Sequence, residues 1–541
     1  MIEVPIIKHF ENVAKNYHDK TAIISKKECI EYEELNSRAN QLAHYLRDIG
    51  IDADKSIGVC LPISIDMVIS VLAIQKLGIP YVPIDARYPK ERIDYMICNA
   101  DISCVISYKN MKQKFDSFRT RCVCLDELDY SNYPVNNLFV TYNEIIYILY
   151  TSGSTGNPKG VEVYHNGVAN YLQYVCMNYM SNLNRDNEPA SFIYLPLSFD
   201  ASVTSLFAPL MTGRALVIPE KTDLEIFTDE LVQKYHFDFV KLTPAHLLLL
   251  KEQIKIDILR DWTKCLVIGG EALTSQHLEY FKKNFLTWKI INEYGPTETV
   301  VGSSVYEFYL DAPFEDRIPI GKPIDNTEIY IVDENENILS EGNIGEIVIA
   351  GAGVAKGYCN NNEMTVSHFK KNFAQTGKRA YKTGDLGSYR SDGNLLYYGR
   401  KDNQVKIRGY RIELSDVEEG LKKIPEIDEA AVVVRETEQN TNTLEAFYVS
   451  SSEIKPNDIR QKLEEYLPLY MLPSRYNRIE KIPLTTNGKI DRNFLKSYKI
   501  CSAVNEEKLT NIEKKIIPIW KEQLGIDSLS INPESVKLVV L

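Results

Sequence analysis

Apolar positions along the chain fall into two rhythms. Between Glu33 and Leu46 they recur at helical spacing, the block Ser56–Leu61 reads as a buried strand, Asp66–Leu77 as a helix and Tyr81–Ile84 as a strand. The alternation returns at Phe192–Leu195, Ala215–Ile218, Phe239–Leu242 and Cys265–Ile268, short apolar strands each followed by a helical stretch. The fold class this predicts is α/β, with layered subdomains whose helices cover their sheets. From Arg317 to Arg400 the texture changes to Val and Ile runs broken by Asp-Glu-Asn or Gly (EIYIVDENENIL, GEIVIAGAG, NLLYYGR), which predicts hairpins in a small β-barrel-like unit. After Arg400 the pattern reads as a separate α+β lobe: a strand pair in VKIRGYRI, helices over Leu414–Lys423 and Pro456–Leu467, and strands over Glu429–Arg435 and Glu445–Val449. A helix with Ile512, Ile516, Ile517 and Trp520 on one face lies in the tail.

Composition narrows the class without naming a chemistry. The 541 residues are too many for one ordinary core, and hydrophobic and charged fractions of 44% and 25% exclude a wholly disordered or fibrous chain. A net charge of −12 argues against nucleic acid as a partner. Apolar runs such as Met67–Ile74 are shorter than the roughly 20 residues a membrane span needs, and the first twenty residues lack a basic region followed by an apolar block. The expectation is a cytoplasmic protein with no membrane association. The ten cysteines are scattered singly, without CxxC pairs, and read as reduced thiols. Cys122 and Cys124 are expected on alternate faces of a strand around Arg121–Leu125.

The strongest local chemistry is TSGSTGNPKG, Thr151–Gly160, directly after the apolar strand Ile145–Tyr150. Glycines and small hydroxyl residues at a strand end leave N–H and O–H donors free to surround phosphate oxygens, and Lys159 adds charge. It is not a Walker loop, because Pro158-Lys159-Gly160 stands where GK[ST] is required. Gly351-Ala352-Gly353 followed by Gly357 only imitates a dinucleotide fingerprint and reads as a turn.

That loop resembles the phosphate-binding signature of adenylate-forming enzymes, the superfamily of acyl-CoA synthetases and luciferases. Further segments resemble specifically the amino-acid adenylation domains of nonribosomal peptide synthetases: EYEEL (Glu31–Leu35), YVPIDARYP (Tyr81–Pro89), LSFDAS (Leu197–Ser202), NEYGPTET (Asn292–Thr299), GEIVIAGAGVAKGY (Gly345–Tyr358), YKTGDL (Tyr381–Leu386), GRKDNQVKIRGYRIEL (Gly399–Leu414), LPLYMLP (Leu467–Pro473) and NGKIDR (Asn487–Arg492). The resemblance covers nearly all of residues 1–500. It implies an adenylation core over 1–401, a mobile lobe over 402–500 that swings about Asp402, and the start of a peptidyl carrier domain over 505–541.

The resemblance implies an enzyme in which a carboxylate attacks the α-phosphorus of ATP, with Mg²⁺ present, and the acyl group then passes to the phosphopantetheine thiol of a carrier domain. Negative charge accumulating on phosphoryl oxygens must be met by fixed donors. The residues it assigns are Lys489, reaching from the small lobe to the substrate carboxylate and α-phosphate; Thr297, on the α-phosphate; Glu298, on Mg²⁺; Tyr294, on adenine; and Asp385, on both ribose hydroxyls, with Arg400 beside it. Asn292 and the loop residues Thr151, Ser152, Gly153, Ser154, Thr155, Gly156 and Lys159 complete the nucleotide site. The Lys406–Gly409 loop is implied to serve thioester formation.

Asp200 in LSFDAS pairs with an α-ammonium group in this family, so an α-amino acid is implied. Carried over motif by motif, the side-chain pocket is Ala201, Thr204, Lys241, Val267, Gly269, Glu293, Val301 and Gly302. Lys241 and Glu293 together suit a carboxamide, with Lys241 or Thr204 donating to the amide oxygen and Glu293 accepting from the NH₂. The string resembles asparagine-activating pockets; Ala201, where leucine is common, leaves glutamine open, and aspartate is a further alternative. A competing possibility is that Lys241 and Glu293 simply neutralise one another as a buried bridge. The implied partners are carrier and condensation domains of a synthetase, with a small helper protein also considered. Rival readings are an acyl-CoA-forming ligase, disfavoured by Asp200, and an inactive binding module, disfavoured by Lys489, Glu298 and Asp385. The tail KKIIPIWKEQLGI resembles the first helix of a carrier domain, but no phosphopantetheine-bearing serine follows. Either the chain is cut within a larger synthetase or its last residues diverge.

Overall fold

The computed structural model describes residues 2, 4–116, 120–153, 157–180, 188–263, 265–375, 377–436, 442–485 and 490–498. The expectations for Ser154, Thr155, Gly156, Lys489 and the 505–541 tail therefore lie outside the described residues. The chain divides into two units, Met1–Gly420 with Gln461–Leu472, and Leu421–Arg460 with Pro473–Leu541.

In the first unit a seven-stranded sheet runs in the spatial order Gly357–Tyr358, Lys159–Tyr164, Ile145–Thr151, Tyr81–Pro83, Ser56–Val59, Ile102–Ser107, Arg121–Cys124. Its five strands from Ile145–Thr151 to Arg121–Cys124 are parallel to their neighbours, and Lys159–Tyr164 returns antiparallel. The helix Ile65–Lys76 is apolar nearly all round because it is buried on every face; Ser64 caps it by accepting from the Met67 amide at 3.2 Å. A second sheet orders Val240–Leu242, Cys265–Gly269, Lys289–Tyr294, Ser304–Tyr309 and Lys322–Pro323, its first three strands parallel. Parallel strands buried on both faces explain the unbroken apolar runs seen there. A four-stranded sheet (Cys29–Glu31, Thr21–Ser25, Leu216–Ile218, Ser191–Phe192) adds to the body.

The glycine-punctuated region forms the expected antiparallel β unit, Thr327–Val332, Gly345–Gly351, Ala380–Tyr389 and Phe369–Lys370, with Leu395–Arg400 paired to Ala380–Tyr389. A short hairpin, Gln404–Ile407 with Tyr410–Glu413, follows and belongs to the first unit.

The second unit packs the antiparallel pair Glu429–Glu436 and Asn442–Val449 with the parallel strand Arg475–Arg478. Its core gathers Ala431, Val433, Phe447, Ile482 and Leu495. The helix Pro456–Leu463 is shorter than the Pro456–Leu467 pattern suggests, and Pro468 disfavours helical geometry at Leu467. One expectation is corrected. Cys122 and Cys124 are not on alternate faces: side chains two apart in a strand share a face, and their sulfurs lie 3.9 Å apart.

Candidate active site

Segments singled out in the sequence, from the one holding Tyr88 to the one holding Tyr470, converge at one cleft. Lining residues include Thr151, Ser152, Asp200, Ala201, Lys241, Gly269, Glu293, Thr297, Val301, Asp385, Arg400, Lys406 and Arg411. The cleft opens at the C-terminal ends of the strands Val240–Leu242, Cys265–Gly269 and Lys289–Tyr294, where parallel α/β sheets collect ligand-binding side chains.

Thr151 pairs with Lys159, so the two residues that flank the expected phosphate loop lie side by side on antiparallel strands. Among the described residues the Thr151 Oγ1 is buried with no hydrogen-bond partner, an orphan that a phosphate oxygen suits. Ser152 donates its hydroxyl to the Arg411 carbonyl at 2.8 Å. Lys159 is nearly buried, and that burial, with the nearby Arg411 charge, lowers its pKa.

Asp385 sits 3% exposed with both oxygens engaged, one by the Tyr294 hydroxyl at 2.6 Å and one by Arg400 Nη1 at 2.7 Å. Arg400 also donates to Asp402 at 2.6 and 2.7 Å. Asn292, by contrast, donates to the Pro319 carbonyl at 2.7 Å and lies outside the residues lining the cleft. Asp200 accepts from the Thr297 hydroxyl at 2.7 Å; burial pushes its carboxyl up, against that bond and the charges of Lys241 and Lys406. Lys406 enters the same cleft, its ammonium depressed by burial and drawn back up by Asp385 and Asp200.

Beneath the cleft lies a closed polar cluster. Lys241 donates to a Glu293 carboxylate oxygen, to the Tyr171 hydroxyl at 3.0 Å and to Thr204 Oγ1 at 2.9 Å. Tyr171 and Tyr179 both donate to Glu293 Oε1, at 2.9 and 2.7 Å. All three ammonium hydrogens are thus used inside the protein, and Glu293 Oε2 keeps acceptor capacity beyond its bond from Lys241. Lys241 bonds both Thr204 and Glu293, Thr204 also bonds Tyr171, and the bridge between Lys241 and Glu293 is formed. Ala201, Lys241, Gly269, Glu293 and Val301 line the cleft; Thr204 and Val267 are fully buried behind it. Gly302 is required by contact, because a Cβ there would lie 2.5 Å from the Glu293 carboxyl carbon. Val300 and Val301 adopt φ of 62° and 61°, a left-handed conformation that β-branched residues rarely take.

The hairpin Gln404–Glu413 closes the remaining side. Gly409, at φ 81°, donates its amide to Glu271 at 2.8 Å, and Tyr410 stacks on Tyr470 with ring centroids 4.1 Å apart. Arg411 places Nη1 at 2.9 and 2.8 Å from the two oxygens of Glu298, which also accepts from the Tyr358 hydroxyl at 2.8 Å. Burial raises the Glu298 carboxyl, but the Arg411 guanidinium and these donors bring it down to about 2. Tested against this donor set, Glu298 does not fit a Mg²⁺ ion, because protein hydrogen bonds engage both of its oxygens and a guanidinium stands against them.

Sequence reasoning missed Tyr171, Tyr179 and Arg411. Arg411 lay inside a recognised motif and could have been found by asking what neutralises a buried Glu298. The two tyrosines carry no local signal: they sit on and just after the helix His165–Asn178, and only their burial shows that each hydroxyl needs a partner.

Comparison with known proteins gives a consistent picture. A family model described as AMP-binding enzyme matches residues 10–359, and one described as AMP-binding enzyme C-terminal domain matches residues 416–489. The chain is 38% identical over 530 residues to bacitracin synthase 3 of Bacillus licheniformis, covering 97% of this chain and 8% of that protein. It is 34% identical over 533 residues to tyrocidine synthase 1 of Brevibacillus parabrevis, covering 97% of this chain and 48% of that protein. The chain thus spans less than half the length of these relatives. A solved NRPS protein containing adenylation and PCP domains, bound to a vinylsulfonamide inhibitor, superposes with a TM-score of 0.81 at 26% identity, covering 96% of this chain and 87% of that one. An o-succinylbenzoate CoA synthetase from Bacillus subtilis shares the fold, with a TM-score of 0.79 at 20% identity over 91% of this chain and 98% of that one.

Proposed function

The chain belongs to the family of AMP-binding enzymes, in the adenylation type of nonribosomal peptide synthetases, and on that premise we propose that it is an adenylating ligase that activates L-asparagine with ATP. A carboxylate oxygen of the amino acid forms a bond to the α-phosphorus while the bond to the β-phosphate bridging oxygen breaks and pyrophosphate leaves with the electron pair. A carrier thiol then attacks the acyl carbon as its thiolate, expelling AMP. Asp200 pairs with the α-ammonium group, Thr151, Ser152 and Lys159 surround phosphate oxygens, Asp385 takes the ribose hydroxyls, and Lys489 meets charge at the α-phosphate. The relatives and the TSGSTGNPKG and NGKIDR motifs support these roles. The partners of this reading are carrier and condensation domains, and its compartment is the cytoplasm, in keeping with single scattered cysteines.

The observation that carries the substrate reading is the neutral, donor-exhausted cluster of Lys241, Glu293, Tyr171 and Thr204 at the pocket floor. A buried pair of zero net charge, its ammonium hydrogens already engaged, gives an aspartate side chain no net attraction. The lone pair left on Glu293 accepts from a carboxamide NH₂. Amino-acid-dependent pyrophosphate exchange across the twenty amino acids is expected to be fastest with L-asparagine. The highest rate with aspartate or a hydrophobic residue sinks the reading, and the highest with glutamine assigns the room beside Ala201 to a longer carboxamide.

A further inference from the structure

We propose that Tyr171 is a positioning residue that sets the choice between asparagine and aspartate, by keeping the hydrogens of Lys241 and Thr204 engaged within the protein. The inference deepens the asparagine reading and rests on it, although Tyr171 lies in none of the motifs that reading draws on.

The count of hydrogens gives a direction to every bond around this residue. The Tyr171 hydroxyl oxygen lies 2.6 Å from Thr204 Oγ1, 2.9 Å from Glu293 Oε1 and 3.0 Å from Lys241 Nζ. A phenol has one hydrogen to give. Burial, and then the Glu293 charge, hold the phenol well above its usual pKa, so that hydrogen stays on oxygen. It goes to Glu293, whose charged oxygen is the stronger acceptor and has no hydrogen of its own to share. The 2.6 Å contact then takes its hydrogen from Thr204, which donates to Tyr171. Lys241 donates to the oxygens of both hydroxyls and to Glu293. Tyr171 thus accepts the one hydroxyl hydrogen of Thr204 and one of the three hydrogens on Lys241. No donor of the cluster is left for a side chain in the cleft.

Tyr179 separates the two things that Tyr171 does. It also donates to Glu293 Oε1, at 2.7 Å, while the three bonds of Lys241 go elsewhere. Removing either phenol hydroxyl costs Glu293 one bond. Removing that of Tyr171 also releases one ammonium hydrogen and the Thr204 hydroxyl. Lys241 lines the cleft, and its ammonium can turn a released hydrogen to an acceptor in the ligand. An aspartate carboxylate is a stronger acceptor than a carboxamide oxygen, so the release favours aspartate.

The test is the ratio of kcat/KM for asparagine to that for aspartate, read by pyrophosphate exchange on the full chain. Tyr171→Phe is expected to lower the ratio about tenfold or more, the size of one hydrogen bond to a charged group, and Tyr179→Phe to change it less than about threefold. A merely structural role for Tyr171 would slow both substrates together and leave the ratio alone. Ratios that match in the two variants overturn the proposal. Thr204→Val, nearly the same in shape, also releases one Lys241 hydrogen and should move the ratio the same way. It decides the question where Tyr171→Phe fails to fold, an unchanged ratio overturning the proposal. The unsubstituted protein separates this inference from the readings beneath it. No exchange with any amino acid sinks adenylation, and fastest exchange with aspartate or a hydrophobic residue sinks the asparagine reading, each taking the proposal with it. Fastest exchange with asparagine, beside equal ratios in Tyr171→Phe and Tyr179→Phe, sinks the proposal alone.

Discussion

Glu293 owes its place to three groups on two other segments: Lys241, and Tyr171 with Tyr179. Two substitutions separate charge from position. Glu293→Gln removes the anion and leaves Lys241 a buried cation without a counter-ion, so the preference for asparagine over aspartate in pyrophosphate exchange should fall by about tenfold or more. An unchanged ratio means that the glutamate does not face the substrate. Tyr179→Phe keeps the charge and removes one hydrogen bond to a buried carboxylate, a loss of about 1.5–3 kcal/mol. It should raise KM for asparagine with the asparagine-to-aspartate ratio less disturbed than in Glu293→Gln, a pattern that steady-state kinetics with both substrates reads directly. Asp200, Lys241 and Glu293 could be named from motif spacing, because each sits in a short segment of fixed pattern. Tyr171 and Tyr179 could not, since the contact that recruits them joins positions more than a hundred residues apart and exists only once the helix His165–Asn178 packs beside the sheet.

Among elements, the hairpin Gln404–Ile407 with Tyr410–Glu413 does the most for the site. Its turn depends on Gly409, whose φ is 81° and where a Cβ would come within 2.8 Å of Phe199 and 2.9 Å of Thr243. Gly409→Ala is therefore expected to prevent seating while leaving the deeper amino-acid pocket intact. Pyrophosphate exchange should persist and transfer to a carrier thiol should drop by at least about tenfold, from backbone strain and overlap of about 1–3 kcal/mol. Equal losses in both half-reactions contradict this separation. The alternating strand and helix rhythm made most of the body legible, because a parallel sheet buried on both faces writes itself as continuous apolar runs. The seating of this hairpin was not legible: periodicity gives a strand pair but not the surface it lands on, and that surface is assembled from Phe199, Thr243, Glu271 and Tyr470. Cys122 and Cys124 share a face because the strand period is two.

For the molecule as a whole, buried titratable groups set a pH dependence with a definite sign. Burial lowers His165 and His246 from 6.5 to about 4. Between those values the unfolded chain binds two protons that the folded chain does not, so these groups make stability rise with pH. Asp416 acts oppositely: burial, then the Glu413 charge, raises it from 3.8 to about 7, so the folded chain keeps a proton the unfolded chain has lost. The net difference from these three groups is one proton between pH 4 and 6.5, a slope of about 1.4 kcal/mol per pH unit. Asp416→Asn should steepen the rise of stability with pH by about 1.4 kcal/mol per pH unit in thermal or urea unfolding; a flatter slope in the variant contradicts the assignment.

The neutral cluster under the pocket also constrains how this chain can acquire a new substrate. Lys241 and Glu293 lie on strands of one sheet, separated by Cys265–Gly269. Replacing either alone strands a buried charge at a cost of about 3–5 kcal/mol, a large share of a domain's stability, whereas replacing both by apolar residues of similar volume can be nearly neutral. Retargeting, by laboratory evolution or by descent, should therefore proceed through coupled double changes or through a compensating third residue. Single-residue libraries at either position are expected to be dominated by poorly folded variants, while a combined library should return stable ones with new preferences.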